Sequence, residues 1–166
     1  MDYSMTRKYL NDRWCVRCGR TGPTPYLKKV VKLLPKSGRV LDIGCGNGRN
    51  SHYMKSLGYD VVSVDMANDF GERIILGHDP LPDGPFDVIL SNYVLMFLSK
   101  IERSQVNREV EKVAGVGCIM VVEMYPAKDA HEYDFEAMFG VWLAKGWVKL
   151  RKSKERCVLM KPGDRG

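Results

Sequence analysis

Val40-Leu-Asp-Ile-Gly-Cys-Gly-Asn-Gly48 is the stretch on which the reading of this 166-residue chain turns. With Arg39 it gives a short apolar strand, residues 39–43, that runs straight into a glycine turn. A helix through about Leu57 follows, and Gly58 suits its C-terminal cap. Gly44, Gly46 and Gly48 carry no side chains, so a ligand can approach the backbone there. The dinucleotide fingerprint Gly-x-Gly-x-x-Gly needs its third glycine at position 49, where this chain has Arg49; the spacing argues against a pyrophosphate cofactor. Asp42, two residues before the first glycine, is a strand-end carboxylate that suits a cationic ligand better than a phosphate.

Outward from this turn, strand and helix alternate. Thr24-Pro25 opens a helix to Leu34, with Thr24 as N-cap and Pro25 at the first helical position. Asp60–Asp65 reads as a second strand, Arg73–Leu76 as a third and Phe86–Ser91 as a fourth. Residues 66–72 are too few for a crossover helix. Val94 to about Val113 reads as mostly helical, broken by Gly115 and Gly117 before a fifth strand, Cys118–Glu123. A polar loop at 125–134, a helix at Phe135–Lys145 and a closing hairpin from Trp147–Arg151 and Arg156–Met160 complete the pattern. Such alternation predicts an open α/β sandwich: a mainly parallel sheet covered on both faces, with an antiparallel C-terminal hairpin. Ligands of such sheets bind beyond the carboxyl ends of the strands. Asp65 lies 21 residues after Gly44, at the tip of the second strand, where an acid can accept hydrogen bonds from ribose hydroxyls. His78-Asp79 follows the third strand, where a side chain could receive an adenine amine. Together these residues describe a nucleoside site.

The chain resembles the class I methyltransferases that use S-adenosylmethionine. Asp42, Gly44, Gly46 and Gly48 match that family's first motif, Asp65 its ribose-binding acid and Asp79 its position near adenine. More narrowly it is similar to the tellurite-resistance and thiopurine-type branch, through Leu41-Asp-Ile-Gly-Cys-Gly-Asn-Gly-Arg-Asn50 and Val94-Leu-Met-Phe-Leu98; the Lys145-Gly-Trp147 turn is compatible with it. The resemblance covers about residues 25–161 and implies a Rossmann-like methyltransferase sandwich with S-adenosylmethionine as cofactor. The cofactor-binding set it implies is Asp42, Gly44, Cys45, Gly46, Asn47, Gly48, Asp65, Met66, His78, Asp79, Ser91, Asn92 and Tyr93. The segments after the second and fifth strands are shorter than the branch pattern, so the branch's metabolite specificity is not carried over.

Methyl transfer from a sulfonium is an in-line displacement, in which the protein mainly holds donor and acceptor in line. A general base is needed only when the acceptor is protonated. Ser91-Asn92-Tyr93 ends the fourth strand and lacks the Pro-Pro-aromatic motif of amino-methylating nucleic-acid enzymes. Asn92 could orient an acceptor, or simply cap the next helix. Glu123 and Tyr125 end the fifth strand and His131 follows; each could face the same crevice, and His131 has the best pKa for a base. The catalytic candidates are therefore Asn92, Tyr125 and His131. Asp129, Glu132, Asp134 and Glu136 read as a solvated acidic run.

Composition bounds the rest. Apolar residues make 45% and charged residues 28% of the chain, values of an ordinary globular protein. No apolar run approaches the roughly 20 residues of a membrane helix, and no signal core opens the chain; a cytoplasmic protein without membrane contact is expected. Residues 1–39 carry 10 Lys/Arg against 2 Asp/Glu, residues 40–140 carry 8 against 16, and residues 141–166 carry 8 against 2. Two basic ends thus flank an acidic middle. They read either as solvated surface or as a phosphate-attracting patch. Cys15-x-x-Cys18 supplies two thiols where structural zinc needs four ligands, and no second pair exists, so no metal is expected. Residues 1–22, with Trp14 and Arg13, Arg17 and Arg20, read as an arm or lid, 23–162 as a single methyltransferase domain and 163–166 as a tail. The short chain favours a small-molecule acceptor. The alternatives are a nucleic-acid or nucleotide acceptor, which the basic ends support, and a non-catalytic module that binds the cofactor and regulates a partner.

Overall fold

A computed structural model describes residues 21–66, 70–124 and 135–163. Helix α1 (Pro25–Val30) continues as a 3-10 turn over Val31–Leu33. Then follow β1 (Arg39–Ile43), α2 (Arg49–Ser56), β2 (Asp60–Asp65), β3 (Glu72–Arg73) and β4 (Phe86–Asn92). A 3-10 turn at Leu95–Phe97 leads to α3 (Lys100–Val113), β5 (Ala114–Glu123), α4 (Phe135–Ala144), β6 (Val148–Ser153) and β7 (Arg156–Met160). The strands form one sheet in the order β3-β2-β1-β4-β5-β7-β6, parallel from β3 to β5 and antiparallel through β7 and β6. This is the α/β sandwich with an antiparallel closing hairpin that the alternation predicts.

The sheet is covered on both faces, which is why its central strands are apolar runs rather than alternating ones. One core holds Leu41, Ile43, Ile89, Met120 and Leu159 against α3 and α4; the other holds Val40, Val88, Leu90, Val121 and Val158 against α1 and α2. Trp142 of α4 is 1% exposed and meets Trp147 edge-on at 5.0 Å between ring centroids. Helix α2 ends as its sequence predicts: Gly58 has φ 94°, and Tyr59 N donates to Met54 O at 3.2 Å.

Three boundaries differ from the sequence reading. The third strand is two residues long, Glu72–Arg73, rather than Arg73–Leu76, because Ile75 N is taken by the Asp79 carboxylate at 2.8 Å instead of a ladder partner. The segment 94–113 is not one helix: it is a short 3-10 turn, then α3, which restarts at Ser99. There the Ser99 hydroxyl accepts from Glu102 N and the Glu102 carboxylate accepts from Ser99 N, a reciprocal cap. Gly115 and Gly117 do not break the chain before β5 but lie inside it. The strand starts at Ala114, paired with Phe86, and an irregularity in the β4–β5 register absorbs the left-handed Gly117 (φ 74°). The arm at 1–20, with Cys15 and Cys18, lies outside the described residues. Among the described residues no helix is long and apolar enough to cross a membrane.

Ser99→Ala removes one half of the α3 cap. It should lower the urea-unfolding free energy by about 1 kcal/mol without shifting the midpoint of any cofactor titration; an unchanged unfolding curve would show that the cap contributes nothing.

Candidate functional site

The order of the strands decides where a ligand can sit. β1 connects outward to β2 and β3, while β4 connects the other way to β5, so the chain reverses direction between β1 and β4. A crevice opens at the carboxyl ends of these two central strands, the usual ligand position of such sheets. Ile43 of β1 is level with Ser91 of β4, and Asn92 is level with Glu123 of β5. The glycine turn, the Ser91-Asn92-Tyr93 stretch and Glu123 are thereby brought to one edge.

The glycine turn is held from below. Gly44 N and Cys45 N both donate to Val64 O, at 2.8 and 3.0 Å, Gly46 N to the Asp65 carboxylate at 3.0 Å, and Gly48 N to Cys45 O at 2.9 Å. These amides are spent inside the protein, so the turn is not an anion cradle, in agreement with its departure from the dinucleotide spacing. Gly44, Gly46 and Gly48 all have positive φ, at 67°, 54° and 79°. Two of the spaces their missing Cβ atoms leave are filled by the protein itself. A Cβ on Gly44 would lie 2.5 Å from Val94 Cγ2, and one on Gly48 would lie 2.4 Å from Phe70 Cε1. The glycines at 44 and 48 are thus required by packing as well as by backbone conformation.

Asp65 stands at the tip of β2 with its carboxylate on the turn, only partly buried. Met66 beside it is also half-buried, Asn47 is exposed, and Cys45 is buried with its thiol on Phe70 O at 3.2 Å. Asp42 is different. It is 2% exposed and its carboxylate accepts from the Ser51 hydroxyl at 2.6 Å, which in turn lies 2.7 Å from the Ser63 hydroxyl. Burial pushes its carboxyl up to about 7, against the opposing effect of the Ser51 bond, with the charge of Asp65 adding to the rise. Asp42 thus ties β1 to α2 beneath the turn. His78 and Asp79 are exposed, but both have partners in the protein: His78 Nε2 lies 3.0 Å from Glu102 Oε1, and Asp79 accepts from Ile75 N.

On the other side of the crevice the end of β4 carries two buried oxygens, Ser91 Oγ and Asn92 Oδ1, without hydrogen-bond partners among the described residues. Asn92 does not cap a helix, since its carboxamide donates to Glu123; the cap of α3 is Ser99. Glu123 also receives the Thr24 hydroxyl, the Tyr93 hydroxyl at 3.3 Å and, as an ion pair at 3.6 Å, Arg156 Nε. Thr24 is therefore more than the N-cap its sequence suggests. Arg156 went unnoticed in the sequence. Its one signal was register, because it pairs with Glu123 across β7 and β5. Tyr125 and His131, two of the three catalytic candidates, lie outside the described residues. Among the described residues no group of three or more His, Cys, Asp or Glu could hold a metal.

A central glycine turn after β1, an acid at the end of β2 and a polar β4 terminus in this sheet order define the fold of the class I S-adenosylmethionine-dependent methyltransferases. The comparisons agree. The family model described as "Tellurite resistance protein TehB" matches residues 14–75. The chain is 34% identical over 94 residues to the "Probable S-adenosyl-L-methionine-dependent methyltransferase TehB" of Haemophilus influenzae, covering 48% of this chain and 33% of that protein. It is also 34% identical over 91 residues to the "tRNA (carboxymethyluridine(34)-5-O)-methyltransferase" of Schizosaccharomyces pombe, covering 51% of this chain and 40% of the relative. The matches thus span about a third to two fifths of these relatives' length. Among solved structures, a TehB-like methyltransferase from Corynebacterium glutamicum superposes with TM-score 0.73 at 19% identity, over 97% of this chain and 100% of the other. The 1,6-didemethyltoxoflavin-N1-methyltransferase of Burkholderia thailandensis gives 0.71 at 14% identity, over 96% and 84%. The chain thus has the fold of the class I methyltransferases, and its residues 14–75 are similar to the TehB family.

Asp42 allows a test of the site's foundation. A carboxyl with a higher pKa in the folded than in the unfolded chain keeps its proton longer when folded. Its contribution is full below the unfolded value of 3.8 and is lost as pH rises to about 7. Asp42→Asn keeps an oxygen for the Ser51 hydroxyl and cannot ionise. The wild type should therefore lose stability relative to this variant between pH 4 and 7, by about 1 to 4 kcal/mol, and no more above pH 8. Parallel pH profiles of unfolding for the two proteins would contradict this.

Proposed function

We propose that the chain is an S-adenosylmethionine-dependent methyltransferase that acts on a small molecule. The observation that carries the cofactor reading is the partly exposed Asp65 carboxylate anchored on Gly46 N of the turn, which fits a ribose diol. The donor chemistry supports it: the turn amides named above are already bonded, as suits a nucleoside without phosphates, and Ser91 Oγ and Asn92 Oδ1 are buried acceptors that match a ligand's N–H or O–H donors. In this reading Asp65 holds the ribose and Met66 and Asp79 flank the adenine. The turn and Ser91 hold the amino-acid end. When bound, the cofactor supplies an electrophilic methyl group on a sulfonium. The chain's own residues orient the acceptor and exclude water; Asn92 is the side chain placed to meet it.

The small-molecule reading is supported by enclosure. The polar groups at the β4 and β5 ends are buried, Ser91 at 2% and Glu123 at 1% exposure, which suits a compact acceptor. The toxoflavin-type neighbour acts on such a compound. A nucleic-acid acceptor is the second reading, favoured by the S. pombe relative and by exposed Lys149, Lys152 and Lys154 on the β6–β7 hairpin.

Two measurements check the proposal. Asp65→Ala should weaken S-adenosylhomocysteine binding about 30- to 1,000-fold in calorimetry, the loss of charge-assisted hydrogen bonds worth about 2–4 kcal/mol together, with circular dichroism unchanged. Unchanged affinity in a folded variant would refute the ribose role. Transfer of tritiated methyl from S-adenosylmethionine into a deproteinised cell extract should label the small-metabolite fraction. Label in RNA, with a salt-dependent tRNA mobility shift, would establish the second reading instead.

A further inference from the structure

Glu123 gathers side chains from three elements at the ends of β4 and β5. The Thr24 hydroxyl and the Asn92 carboxamide both donate to its Oε2, the Tyr93 hydroxyl donates to Oε1 at 3.3 Å, and Arg156 Nε stands 3.6 Å from Oε1. Three of the neighbours donate hydrogen bonds and the fourth, Arg156, is a cation, so both oxygens act as acceptors. The partners come from the cap of α1, the end of β4 and the start of β7. Tyr93 is bound twice, since its backbone N also donates to Glu123 O at 2.8 Å, and it adopts φ 59°, a conformation that side-chain-bearing residues seldom hold.

The consequence falls on Asn92. A carboxamide has a donating and an accepting end of nearly the same shape, and an acceptor-only neighbour decides between them: only the NH2 group can face Glu123. The Asn92 oxygen is therefore turned away from Glu123. It is buried and has no hydrogen-bond partner among the described residues, and Ser91 Oγ, one residue earlier, is in the same condition. Two adjacent buried oxygens at the end of a central strand, unsatisfied by the described residues, suit the polar hydrogens of a ligand.

We propose that Glu123 is the positioning residue of the acceptor site, and that Asn92, held by it, selects a methyl acceptor whose reacting atom bears a hydrogen, an N–H or O–H compound, over a bare anion. The proposal rests on the methyltransferase reading above. Asn92 Oδ1 accepts the hydrogen bond of the reacting atom and so aims its lone pair. That lone pair forms the new bond to the methyl carbon, the carbon–sulfur bond breaks with its electrons going to sulfur, and the acceptor's hydrogen leaves as a proton to water.

The test uses the full chain, with Glu123→Gln and, as a second variant, Glu123→Asp, which keeps the charge. In the wild type the Asn92 carboxamide protons, assigned by their loss in Asn92→Ser, should exchange slowly in 15N NMR. Glu123→Gln should lose that protection, keep S-adenosylhomocysteine affinity within threefold by calorimetry, and transfer tritiated methyl to the extract acceptor at least tenfold more slowly in kcat. Glu123→Asp should restore part of both. Wild-type protein should also methylate the extract acceptor faster than added iodide or tellurite. The proposal is overturned by Asn92 protons that exchange freely in the wild type or stay protected in Glu123→Gln, by wild-type kcat in that variant, or by faster transfer to either anion. Should Glu123→Gln not fold, the wild-type NMR protection and the anion comparison still decide. Absence of S-adenosylhomocysteine binding by the wild type would instead sink the methyltransferase reading, leaving the Asn92 protection as a separate result on the Glu123 arrangement.

Discussion

The parallel pairing of β1 with β4 is the constraint from which the site follows. Strands consecutive in space are not consecutive in sequence here, and the crossover leaves a gap between the connections that run outward on either side. Register then does the placing: with Ile43 level with Ser91 and Asn92 level with Glu123, the polar ends of β4 and β5 and the glycine turn after β1 are brought to one edge of the sheet. A shift of one residue along β4 would turn Asn92 toward the opposite face and separate it from Glu123.

The glycine turn shows how one sequence feature serves two demands. The motif reads as open space for a ligand, yet the side chains of Val94 and Phe70 occupy the positions that Cβ atoms on Gly44 and Gly48 would need. Val94 begins the segment after β4 and Phe70 precedes β3, so the turn is clamped from both neighbouring strand ends. Its amides are bonded to Val64, Asp65 and Cys45 rather than held out for a ligand. What remains for recognition is carboxylate and carbonyl chemistry, which separates a nucleoside site from a phosphate site.

Legibility in the sequence followed the range of the interaction. Elements fixed by local chemistry were readable: Thr24-Pro25 at the start of α1, Gly58 at the end of α2, and the apolar runs of β1, β2 and β4. The failures arose where a distant partner decided. Asp79 takes the amide that would have extended β3, and pairing with Phe86 draws Ala114–Gly117 into β5 despite two glycines. Asp42 and Asp65 look equivalent as strand-end acids, but one is sealed under α2 by Ser51 and the other stands at the surface of the turn. Glu123 was visible as a residue facing the crevice. Its three hydrogen-bond donors and its ion-pair partner were not, since Thr24 lies 99 residues away and Arg156 on another strand.

The divided charge of the chain gains meaning from the same topology. The basic N-terminal and C-terminal segments are far apart in sequence, but α1 packs in the core that contains Val158 of β7, and the Arg156 guanidinium lies 5.9 Å from the Tyr26 ring centroid. Among the described residues the start of the chain thus meets β7 at Tyr26 and Arg156, while Asp42 and Asp65 of the acidic middle stand on β1 and β2. The crevice lies between them. Arg156 faces the buried Glu123 at 3.6 Å on one side, and the partly exposed Asp65 stands on the other.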